Sequence, residues 1–104
     1  MAVDISGSLP QLDNLTTGSA NVVTQITVGA GASKISFRPR VNDAKLTFGA
    51  AASGLTDGGA LGAAEYCTIT AGAWTQLAIQ GIRTFYITSA TGSTVIEVAV
   101  EGGA

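Results

Sequence analysis

The 104-residue sequence predicts an all-β fold: a single antiparallel β-sandwich or jelly-roll-like domain with an extended N-terminal arm. Three observations carry that prediction. From Ala20 onward, apolar and polar residues alternate with period two, the spacing that sends successive side chains to opposite faces of a strand. Turn residues interrupt the alternation at intervals of roughly 8–12 residues, as in sandwiches and barrels. Thirteen threonines and sixteen valines plus isoleucines supply β-branched side chains, which suit a pleated surface. No segment carries a helical stripe over ten residues.

The chain divides into an arm over residues 1–19 and a β-sandwich domain over residues 20–104. In the arm, Val3 and Ile5 alternate with Asp4 and Ser6, which leaves room for a short strand. Beyond it Pro10 blocks a central strand position, and the remaining apolar residues (Leu9, Leu12, Leu15) keep no period, so the segment reads as extended chain. In the domain, Val22, Thr24, Ile26 and Val28 share one strand face. Gly29-Ala30-Gly31-Ala32 is a turn, after which Ile35 and Phe37 point inward and Lys34, Ser36 and Arg38 outward. Pro39 ends that strand because it cannot donate to the ladder. Asn42-Asp43 precedes a third strand, in which Ala44, Leu46 and Phe48 oppose Lys45 and Thr47. Residues 49–64 hold five glycines and read as a long loop pinned by Leu55 and Leu61, a length often tied to function. Four more strands follow. They are residues 66–70, 73–79, 83–89, where Phe85 and Ile87 oppose Thr84, Tyr86 and Thr88, and 94–101. In the last, Ile96, Val98 and Val100 face in, and Glu97 and Glu101 face water.

Composition excludes more than it selects. The chain is 46% hydrophobic and 12% charged, about half the charge of an ordinary soluble domain. It has no histidine, hence no Ser-His-Asp or Cys-His arrangement and no imidazole base or metal ligand. Cys67 is alone, so no internal disulfide and no multi-cysteine zinc site is available. The seven carboxylates are scattered, and no enzyme, metal or cofactor is expected. A net charge of -2 gives no basic footprint for nucleic acid. No apolar run approaches the roughly 20 residues that span a bilayer, and the first residues carry no secretory signal. The expectation is a protein made in a cytoplasm and not secreted by a signal peptide.

The candidate partner-binding residues are Lys34, Arg38, Arg40, Lys45 and Trp74. Four of the five cations fall within residues 34–45, and on adjacent strands they would form one basic strip suited to an acidic protein. Edge-strand protection explains the same residues equally well. Trp74 suits a core or interface, or, with Tyr66 and Tyr86, a sugar-stacking platform. Glu97 and Glu101 fit a solvated strand face, Asp57-Gly58-Gly59 a turn, and Gly29-Ala30-Gly31 a link between strands, without the helix that a phosphate site needs. Many outward positions are Ala, Thr, Val or Gly, a composition of surface covered by other protein.

Residues Thr27–Arg38, Leu55–Gly62 and Thr70–Trp74 together resemble the small all-β virion proteins of tailed bacteriophages, above all capsid decoration (cement) proteins; the likeness runs over residues 20–101. The resemblance implies a non-enzymatic virion protein that binds the major capsid protein, or another virion protein, and stabilises the assembled shell, as a homo-oligomer and commonly a trimer. A tail, neck or head-fibre-base component and a carbohydrate-binding module are the alternatives.

Overall fold

The computed structural model describes residues 2–102 and is all-β, with two sheets packed face to face. Met1, Gly103 and Ala104, at the outer ends of the expected arm and domain, lie outside the described residues. The strands are β1 (Val3–Ile5), β2 (Gln11–Thr16), β3 (Thr24–Val28), β4 (Ala32–Pro39), β5 (Ala44–Phe48), β6 (Cys67–Ile69), β7 (Thr75–Ala78), β8 (Thr84–Thr88) and β9 (Val95–Gly102). One sheet runs β1-β3-β8-β5-β6 and the other β2-β9-β4-β7.

Every pairing is antiparallel except β1 with β3, which is parallel, so the antiparallel expectation fails at that pair. The core lies between the sheets, where Ile26, Leu46, Phe85 and Ile87 meet Ile35, Phe37, Ile96, Val98 and Val100. Phe85 stands edge-on to Phe37 and to Phe48, with ring centroids 6.3 and 5.6 Å away. Each such side chain contributes about 1.5–3 kcal/mol by leaving water, and the alternation read from Ala20 onward is what aims them inward.

The extended arm differs most from expectation. Residues 3–5 and 11–16 are strands, one in each sheet, and Ile5 and Leu15 are buried in the core. Thr17 locks the segment to the last strand. Its amide donates to Thr94 O and its Oγ1 accepts from Thr94 N–H, both at 2.9 Å. Period-two reading misses β2 because its apolar residues sit three apart. Leu15 faces Ile96 on the inner side, which puts Asp13 inward and Leu12 outward.

The long loop is a cover for one sheet. It leaves β5 through a 3₁₀ turn at Gly49–Ala52 and then pairs with the segment before β3. Val23 N–H donates to Gly59 O, Gly58 N–H to Val23 O and Leu61 N–H to Asn21 O, while Asp57 Oδ1 accepts from Gln25 N–H at 2.8 Å. From there it returns to β6. Since β8 separates β3 from β5 in the sheet, the loop crosses β8 on the side away from the core. Val23, Ala52 and Leu61 are buried yet lie outside the main core cluster, as a small second interior beneath the loop. Leu61 pins the loop as expected, while Leu55 is only half-buried.

Candidate interaction surface

Among the described residues, the outer face of the β2-β9-β4-β7 sheet has no comparable cover, and register fixes what it displays. Glu97 on β9 pairs with Asn14 on β2 and Arg38 on β4. Continuing the β4–β7 register by one residue places Trp74 beside Arg38. The neighbouring row holds Leu12, Ala99, Ser36 and Gln76, and the next Glu101, Lys34 and Ala78. Inward Pro39 separates Arg38 from Arg40, so both guanidiniums stand on this outer face.

The centre is an ion triplet. Arg38 Nε–H donates to Glu97 Oε1 at 2.8 Å, and Arg40 Nε–H donates to Glu97 Oε2 at 2.9 Å. The Arg38 guanidinium carbon stands 5.4 Å from the Trp74 ring centroid, within cation–π range. Glu97 therefore does not stand free in water, as a bare strand face would leave it; its side chain is only 16% exposed. The hydrogen bond from Arg40, then that from Arg38, hold its carboxyl below the ordinary value of 4.5, since both favour the charged form. Two guanidiniums share one carboxylate, which leaves one positive charge. Each arginine also keeps four N–H donors beyond the Nε–H it has committed. Trp74 is 48% exposed and Leu12 75% exposed, so apolar surface flanks the charged centre.

The expected strip of Lys34, Arg38, Arg40 and Lys45 does not form as one unit. Lys34 and Arg38 lie on β4 and Arg40 just after it, but Lys45 lies on β5 in the other sheet. There Lys45 Nζ–H donates to Asn21 Oδ1 at 3.0 Å and sits 4.9 Å from the Tyr66 ring centroid. Neither β4 nor β5 is an edge strand, so protection of an edge does not account for these cations. The aromatic residues also part company. Tyr66 and Tyr86 belong to the five-stranded sheet's outer side and Trp74 to the opposite face of the molecule. Sequence reading missed Glu97 as the hub; Arg38-x-Arg40 together with an outward glutamate on the last strand was the available signal. No family model, curated protein or solved structure matches the chain.

Proposed function

We propose that the chain is a non-enzymatic virion structural protein that binds an assembled bacteriophage shell and stabilises it, with the major capsid protein or another virion protein as its partner and the virion as its location. The observation that carries this reading is the open face built around Arg38, Glu97, Arg40 and Trp74. Its arginines are already fixed by ion pairing, so docking would order few side chains. Tryptophan and arginine are the residues that most often anchor protein interfaces. The remaining charge and the spare N–H donors suit a carboxylate- or carbonyl-rich protein surface.

Strand order supports a jelly roll, an architecture common in viral coat proteins. From β2 to β9 the chain changes sheet at every step except β5 to β6, giving β2-β9-β4-β7 over β3-β8-β5-β6, with β1 appended. Many modest contacts repeated over a closed shell would hold through avidity. The resemblance to decoration proteins adds a homo-oligomer to this reading. Mixing the purified protein with assembled shells that lack it, and counting copies per particle, tests the proposal. Hundreds of copies support shell binding, a dozen or fewer favour a tail or neck part, and none overturns both. The sugar-platform alternative is weaker, because its three aromatic side chains do not share a face.

A further inference from the structure

The two lateral sides of the molecule are guarded differently. On one side run β1 and β2, the edge strands that carry Asp4 and an inward-phased Asp13 and that follow or precede Pro10. Short edges, proline and inward charges are standard protection against strand addition. On the other side run β6 and β7, within residues 66–82, seventeen consecutive residues without a charge. β7 pairs with β4 through Ile35–Leu77 and Phe37–Thr75, and Ile79 N–H donates to Ser33 O. In an antiparallel ladder the hydrogen-bonding residues alternate. The backbone groups of Thr75, Leu77 and Ile79 thus point to β4, and those of Trp74, Gln76 and Ala78 point out of the sheet edge.

We infer that β7 is a self-association edge, which pairs antiparallel with β7 of a second copy of this chain about a two-fold axis at Gln76. This goes beyond shell binding and does not depend on it. The register follows from the outward groups. Centring on Gln76 makes Gln76 with its own copy a hydrogen-bonded pair, and Trp74 with Ala78 of the second copy another. All three outward residues then pair among themselves, whereas a centre at Leu77 would set Trp74 against Gln80, beyond the end of β7. Side-chain sizes agree. The exposed indole of Trp74 lies over the small, exposed Ala78, and the two Gln76 amides meet across the axis, where like charges would have repelled. The axis stands perpendicular to the sheet, so the uncharged β6 edges come level with each other. The product is a continuous eight-stranded sheet that carries the Arg38–Glu97–Arg40 cluster twice on one outer face. An isologous contact of this kind closes at two copies.

Light scattering over a dilution series tests it, with circular dichroism to verify folding. The wild-type chain is expected to reach twice its 10.3 kDa mass at high concentration and to dissociate on dilution, with Trp74 emission shifting red as the dimer parts. Gln76→Lys puts two like charges at the axis and is expected to remain at the single-chain mass at every concentration. Ser36→Lys, the same charge in the same row on an interior strand, is expected to dimerise like wild type. A wild-type chain that stays monomeric throughout, a trimer, or a dimer untouched by Gln76→Lys overturns the inference. None of these results bears on shell loading, which is measured separately.

Discussion

Both outer faces of the molecule include uncharged positions, for different reasons. Over the β1-β3-β8-β5-β6 sheet, the chain's own segment 49–64 crosses β8 and buries Val23, Thr47 and Thr88. Thr88 Oγ1–H donates to Val22 O at 2.8 Å, so that hydroxyl is satisfied as a buried polar group should be. The outward residues there are threonine and valine because they line a second, thin interior. Over the β2-β9-β4-β7 sheet no described residue forms a comparable cover, yet Leu12, Ala99, Ser36, Gln76 and Ala78 are equally uncharged. The uncharged positions thus lie in two settings, one beneath intramolecular cover and the other on an open face.

Removing residues 1–19 should unfold both sheets, because it deletes an edge strand from each along with Ile5 and Leu15. The truncated chain is expected not to fold, as read by loss of cooperative thermal unfolding; a native-like melting curve would show that the segment is an independent arm. A paired substitution contrasts the faces more gently. Leu61→Ala, beneath the loop, should cost about 2–4 kcal/mol in denaturant unfolding. Leu12→Ala, on the open face, should stay within about 0.5 kcal/mol. Equal costs would erase the distinction.

The ion triplet sharpens the same contrast through pH. The carboxyl of Glu97 is held below its ordinary value of 4.5, chiefly by the hydrogen bonds from Arg40 and Arg38. A folded-state value depressed in this way adds stability above about pH 4.5, and the addition is lost as pH falls through the folded value. Wild type and Glu97→Gln are therefore expected to differ in melting temperature at pH 7 and to converge in strong acid. A constant gap across the range would show that ionisation of Glu97 does not stabilise the fold. The smallest effect is expected from Arg38→Ala. Exposed ion pairs and cation–π contacts contribute little to stability, but Trp74 should lose its cationic neighbour and change its fluorescence.

Much of the fold was legible because its strands obey one rule. From β3 to β5 and from β8 to β9, inward residues other than Thr24 are apolar at every second position, and the core follows directly. Pro39 and the glycine-rich breaks mark the strand ends for the same local reason. What escaped depends on partners far away in the chain. β2 offers Leu12 outward and Asp13 inward, so only pairing with β9 defines it as a strand. Lys45 is near Lys34, Arg38 and Arg40 in sequence, yet the chain changes sheet between β4 and β5. The Glu97 hub joins residues 57 and 59 positions away, a separation that no local pattern encodes. The loop's role was half visible: its length and Leu61 suggested anchoring, but the crossing over β8 is a property of the topology.

The Arg38–Glu97–Arg40–Trp74 face, and not its counterpart, is the one proposed to meet the shell. The most direct test is the occupancy of assembled shells by two double variants with wild-type melting temperatures, Arg38→Ala with Trp74→Ala and Lys45→Ala with Tyr66→Ala. The first is expected to lose shell loading by at least tenfold and the second to load like wild type. Full loading by the first variant, or equal loss by both, would contradict the claim.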